Sequence, residues 1–166
     1  MNIETAVSYL TSHFDQHLAQ LSEFLSIPSI STLSEHRQDI DRAAQWLLDD
    51  AMRIGLENGE ILQTNGHPIV YADWLHAGDD APTVLLYGHY DVQPPGDLNL
   101  WHSDPFTPTL HGDRIFARGA SDNKAQHFSH LKAIEALLAE NGRLPINIKL
   151  CLDGEEEIGS PNLEPF

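Results

Sequence analysis

The run Thr83-Val84-Leu85-Leu86-Tyr87-Gly88-His89-Tyr90-Asp91 constrains this chain more than any other stretch. Val84 to Tyr87 is a short apolar block of strand formers. Turn-forming Gly78, Asp79, Asp80, Ala81 and Pro82 precede it, and Gly88 and Pro94-Pro95-Gly96 follow it. An unbroken block of this length predicts a strand covered on both faces, within the parallel or mixed sheet of an α/β fold. Its C-terminal end delivers His89 and Asp91, two positions apart. Sites in open α/β sheets lie beyond the carboxyl ends of the strands. With His89 as a metal ligand, Asp91 is placed to hold the other ring nitrogen and fix the tautomer.

The flanking sequence supplies helices and further strands. Ile3, Val7, Leu10, Phe14, Leu18, Leu21, Phe24 and Leu25 recur at steps of three and four, predicting an amphipathic helix over 3–26 that stops before Ile27-Pro28. His13 and His17 share that helix at i, i+4. No glutamate-containing zinc-helix motif surrounds them, so they are expected on the solvated surface. A second helix is predicted over 34–54, with Ile40, Ala43, Ala44, Leu47, Leu48 and Met52 inside and Gly55 as its stop. Strands follow at 60–64 and 69–75, joined by a tight Asn65-Gly66 turn. Residues 92–112 form a long connection rich in proline, with Trp101 and Phe106. A brief strand at 114–117, a small-residue turn at 118–122, a helix at 124–141 ending at Gly142 and a strand at 146–152 complete the pattern.

Charge narrows the partners. With 25 acidic and 9 basic residues the net charge is −16, which argues against nucleic acid and anionic membrane. No apolar run approaches a membrane span. The opening Met1-Asn2-Ile3-Glu4-Thr5 does not read as a signal peptide, and the single Cys151 has no intrachain partner. A reducing, cytoplasmic setting is the expectation.

Three predicted strand ends then carry acidic or imidazole groups: His89 with Asp91, Asp122, and Glu155 to Glu157. Oxygen and nitrogen donors without thiolates suit zinc, manganese or cobalt. Two such cations about 3.5–4 Å apart polarise a carbonyl and acidify a shared water, and a nearby glutamate moves its proton. Taken singly, Asp122 reads as a helix N-cap and the glutamates as a solvated turn. Their common place at the ends of one predicted sheet favours the metal reading.

Four motifs together resemble the di-zinc exopeptidases and deacylases: His89-Tyr90-Asp91-Val92-Gln93-Pro94, Trp101 with Pro105-Phe106, Arg118-Gly119-Ala120-Ser121-Asp122-Asn123-Lys124, and Glu156-Glu157-Ile158-Gly159-Ser160. That family includes carnosinase-type dipeptidases, aminoacylase, acetylornithine deacetylase and succinyl-diaminopimelate desuccinylase. The tyrosine within His-x-Asp and the Trp and Pro-Phe after it look closest to the dipeptidase branch. The resemblance implies a three-layer α-β-α mixed sheet and a zinc-dependent hydrolase of dipeptides with two ions per complete site, manganese or cobalt being able to replace zinc. It implies His89 as ligand of one metal, Asp91 as its orienting partner, Asp122 as the bridge, Glu157 as ligand of the second metal and Glu156 as general base. Glu155 is then a bystander. A cis peptide between Asp122 and Asn123 is implied as well.

Two departures accompany the resemblance. Ala125 stands where the family usually has glycine. The family's remaining aspartate and histidine ligands and its lid domain lie further along than Phe166. Residues 1–166 are therefore expected to be the N-terminal part of a metallopeptidase catalytic domain, inactive alone and unlikely to form oligomers without the lid. Small peptides are the expected substrates. An amino-acid deacylase and a non-catalytic remnant are the alternatives.

Overall fold

The computed structural model describes residues 2–165; Met1 and Phe166, the ends of the expected 1–166 unit, lie outside the described residues. The chain runs α1 (Ile3–Ser12), α2 (Phe14–Leu25), α3 (Arg37–Arg53), β1 (Glu57–Leu62), β2 (Ile69–Trp74), β3 (Thr83–His89), β4 (Thr109–His111), β5 (Arg114–Phe116), α4 (Lys124–Asn141) and β6 (Asn147–Asp153). Short 3-10 turns occur at Ser34–His36, Leu98–Leu100 and Glu156–Ile158. Among the described residues no helix is long and apolar enough to cross a membrane.

The sheet is mixed, in the order β1-β2-β6-β3. β2 runs antiparallel to both β1 and β6, while β3 and β6 run parallel, His89 lying opposite Asp153. A parallel pair needs a long crossover, and α4 supplies it. β4 and β5 pair as a separate ribbon inside the long proline-rich connection.

Alternation along the strands sets one face of the sheet against the helices. Val70, Ala72 and Trp74 on β2 and Ile148, Leu150 and Leu152 on β6 point to that side. There they meet Ile40, Ala43 and Leu47 of α3 and Leu131 and Ile134 of α4. Truncating a fully buried leucine here, such as Leu150 or Leu47, costs about 2–5 kcal/mol. α1 and α2 pack along α4, which is why α4 buries Lys124, His127, Lys132 and Glu135 as well as its apolar stripe.

The opposite face is covered at β2, where Ile69 is 1% exposed, but open along β3. Leu85 is 61% and Tyr87 45% exposed there, beside Lys149 and the half-buried Cys151. β3 is thus an edge strand covered on one side, not the doubly covered strand its unbroken apolar block predicts. The block is continuous because Val84 and Leu86 face α4 while Leu85 and Tyr87 face a surface that nothing here covers.

Other boundaries moved for local reasons. The predicted 3–26 helix is interrupted at His13 (φ −104°, ψ 11°). Ser8, Thr11 and Ser12 hydroxyls donate back to carbonyls three or four residues earlier, a competition that bends helices. Met52 lies outward at 45% exposure rather than in the core. The Asn65-Gly66 turn is not tight: the last ladder pair is Leu62 with Ile69, and residues 63–68 form a six-residue loop whose His67 end is buried. That loop is diverted to Glu155, whose carboxylate accepts the His67 amide at 2.9 Å.

Candidate metal centre

The parallel pairing of β3 and β6 ends both strands at one level. The Tyr90 amide then donates to the Asp153 carbonyl (2.9 Å), so the two chains leave the sheet together. Tyr90 is fully buried and its hydroxyl donates to the Pro68 carbonyl at 2.6 Å. Gly154 is required beside it, because a Cβ there would lie 2.5 Å from the Tyr90 hydroxyl and 2.8 Å from the Pro68 oxygen.

Asp91 is the node of the site. It is completely buried, and its two oxygens accept the backbone amides of Glu156 and Glu157, each at 3.1 Å. The ring nitrogen Nδ1 of His89 lies 3.3 Å from Asp91 Oδ1 and 3.1 Å from the Asp91 carbonyl. One carboxylate therefore orients the imidazole and seats the glutamate turn. With Nδ1 donating to Asp91, Nε2 is the atom presented to the acidic groups: Asp122 Oδ1 at 3.0 Å and Glu156 Oε2 at 3.8 Å. Burial opposes a charge on this ring, but the hydrogen bond and charge of Asp91, with Glu156 behind, outweigh it and lift His89 to about 9.

The glutamates divide by direction. Glu155 turns inward, 3% exposed, accepting the His67 amide on one oxygen and Asn162 Nδ2 on the other (2.8 Å). Glu156 faces His89, and Glu157 Oε2 accepts from Gln93 Nε2 at 2.9 Å. Among the described residues, His89, Glu156 and Glu157 form the one group of three metal-competent side chains whose donor atoms all lie within 4.8 Å of one another. An imidazole and carboxylates without a thiolate make a donor set that fits a zinc-like cation.

Asp122 reaches the same place from the start of α4. Its peptide bond to Asn123 is cis, and it does not cap the helix. Asn123 holds the N-cap position, and its side chain makes no capping bond; Oδ1 instead accepts the His89 amide at 3.3 Å. Behind it His127 is buried, and desolvation followed by the charge on Lys124 brings its ring down to about 3, keeping it neutral. Lys124 is wholly buried and is drawn down to about 7, by desolvation first and then by Arg42.

The five residues singled out from the sequence are thus linked through His89: Asp91 at Nδ1, Asp122 and Glu156 at Nε2, and Glu157 within the same donor group as Glu156, a group that does not include Asp122. Asn123, Gln93 and Lys124 were passed over: each sits within a quoted motif, but nothing in its spacing marks it. His13 and His17 lie elsewhere. The expectation that both are surface groups fails for His17, which is 7% exposed with Nε2 3.8 Å from Glu135.

Residues 85–165 match the profile of Peptidase family M20/M25/M40. The chain is homologous to these peptidases. It is 33% identical over 155 residues to the cysteinylglycine-S-conjugate dipeptidase of Corynebacterium striatum, covering 90% of this chain and 32% of that protein. The crystal structure of human carnosine dipeptidase 1 superposes with a TM-score of 0.88 at 31% identity, over 98% of this chain and 36% of that one. The succinyl-diaminopimelate desuccinylase of Thiobacillus denitrificans is 42% identical over 84 residues, 51% of this chain and 21% of that protein. The chain spans about a third of the length of the first two.

Proposed function

We propose that this chain is the N-terminal, metal-holding part of the catalytic domain of a zinc-dependent dipeptidase. The observation that carries the reading is the convergence of His89, Asp122, Glu156 and Glu157 beyond β3 and β6, with Asp91 buried behind them. His89 Nε2, Asp122 and Glu157 are the residues that would hold the metal, with Asp122 as the ligand the two ions would share. When bound, zinc, or manganese or cobalt in its place, supplies polarisation of the scissile carbonyl and a water of lowered pKa. Asp91 keeps the proton on Nδ1, so that His89 presents a lone pair at Nε2. Glu156, 44% exposed at its side chain, takes the proton from the attacking water and passes it to the leaving amine. The relatives' names point to small peptides as substrate, and the unpaired Cys151 fits a cytoplasmic setting.

A deacylase is the second reading, favoured by the 42% identity to the desuccinylase. Zinc titration calorimetry on the purified chain, with His89→Ala and Asp122→Ala, tests the centre: binding that survives both substitutions refutes it. Turnover decides the rest. Zinc-dependent cleavage of Cys-Gly or β-Ala-His that stops in Glu156→Gln supports the dipeptidase, and release of succinate from a succinyl amino acid supports the deacylase. Bound zinc with neither reaction identifies a metal-binding remnant.

A further inference from the structure

Lys124 is the one lysine with no exposed surface, yet among the described residues no ion pair involves it. Nζ donates instead to the carbonyls of Phe24 (3.1 Å), in the last turn of α2, and Ile27 (2.7 Å), just past it, and lies 4.6 Å from the centre of the Phe24 ring. Burying an ammonium without a carboxylate is costly. The carbonyls do not require it, since each already accepts a backbone amide, Phe24 from Ile27 and Ile27 from Ser29. An apolar side chain of the same length would fill the space at lower cost. The C-terminal end of α2 and the face of the Phe24 ring favour a cation here, but without a carboxylate they offset its burial only in part.

The strap that Lys124 grips leads straight to the metal centre. Two residues past Ile27, Ser29 donates its hydroxyl to the Tyr90 carbonyl (2.6 Å) and accepts the Val92 amide (2.9 Å), and Ile30 bridges Val92. Tyr90 and Val92 flank Asp91. Residues 24–30 thus join the turn that carries Asp122 to the turn that carries His89 and Asp91. The approach is close: a Cβ on Gly119, at φ +80°, would lie 2.7 Å from Val92 and 3.4 Å from the Lys124 stem.

We propose that Lys124 is a positioning residue of the metal centre, fixing the separation of Asp122 from His89 and Asp91 through the 24–30 strap. This rests on the metal reading above and concerns geometry, not contact with substrate.

The test is Lys124→Met, which keeps the stem and removes both hydrogen bonds, with Ser29→Ala loosening the far end of the strap. Lys132→Met, which breaks pairs with Asp50 and Glu135 away from the centre, is the control. Zinc titration calorimetry should show the dissociation constant rising at least tenfold in Lys124→Met, less in Ser29→Ala, and within twofold of the parent in Lys132→Met. Amide hydrogen exchange without metal should show protection lost at His89 and Val92 and retained at Leu150 for the first two variants. Unchanged zinc affinity with exchange raised uniformly makes Lys124 a structural clamp only and overturns the proposal. If Lys124→Met does not fold, Ser29→Ala decides by the same two measurements, and parental behaviour in both overturns the proposal. A parent that binds no zinc refutes the metal reading, and the exchange pattern then decides the positioning role by itself.

Discussion

Replacing Asp91 by asparagine preserves the volume of a fully buried side chain and removes its charge. The carboxylate accepts one amide per oxygen, from Glu156 and from Glu157. Asparagine has one acceptor oxygen, so its NH2 must face the second amide, donor against donor. Losing a charge-assisted bond is worth about 1.5–3 kcal/mol and stranding a buried N–H about 1–3 more, so the cost is roughly 2.5–6 kcal/mol. His89 adds a part that depends on pH. Its pKa is 6.5 without the fold's influence and about 9 within it. That contribution is fully present below about 6.5 and is lost as pH rises through about 9. Urea unfolding of the metal-free parent and Asp91→Asn at about pH 6 and about pH 9.5 measures both parts. The deficit should be larger at the lower pH. A loss under about 1 kcal/mol, or a deficit independent of pH, would show that Asp91 does not bind the two strand ends together.

Glu135 lies between Arg53 and Lys132, and although burial opposes its charge, their hydrogen bonds bring its pKa from 4.5 down to about 2. That stabilises the fold by about 3 kcal/mol above about pH 5, falling through roughly half by about pH 3, so Glu135→Gln should narrow its gap to the parent as acid is added. Thermal melting with zinc at about 100 times its dissociation constant should stabilise the parent by about 2.7 kcal/mol. Asp122→Ala should abolish that shift and His13→Ala/His17→Ala should keep it; the reverse would move the metal site to the helix. Gly154→Ala should cost about 1–3 kcal/mol from overpacking against Tyr90, and a Tyr90→Phe background should recover part of it, which a double-mutant cycle detects.

The site was legible because its chemistry stands at strand ends, where short motifs interrupt apolar blocks. His89, Asp91, Asp122, Glu156 and Glu157 carry groups that announce themselves, and the parallel register of β3 with β6 brings two of the three segments together. Gln93, Asn123 and Lys124 were not legible, because each also bonds a backbone carbonyl or amide up to a hundred residues away, and backbone partners leave no mark on composition. The same holds for His17: its i, i+4 partner His13 was visible, but Glu135 lies on another helix. Helix α4 and its Gly142 stop follow from periodicity. The one-sided cover of β3 does not, since an apolar block reads alike whether its second face meets protein or water.

That open β3 edge has a colloidal consequence. β3 is an unpaired edge among the described residues, with Leu85 and Tyr87 exposed beside it, a template on which another strand can align. What opposes such alignment is the charge of −16, a repulsion whose range is about 10 Å at 0.1 M salt and about 3 Å at 1 M. The chain's tendency to self-associate is then governed by the solvent more than by the fold. It should stay dispersed in dilute neutral buffer and begin to associate as salt is raised or as pH approaches 4.7, where the repulsion vanishes.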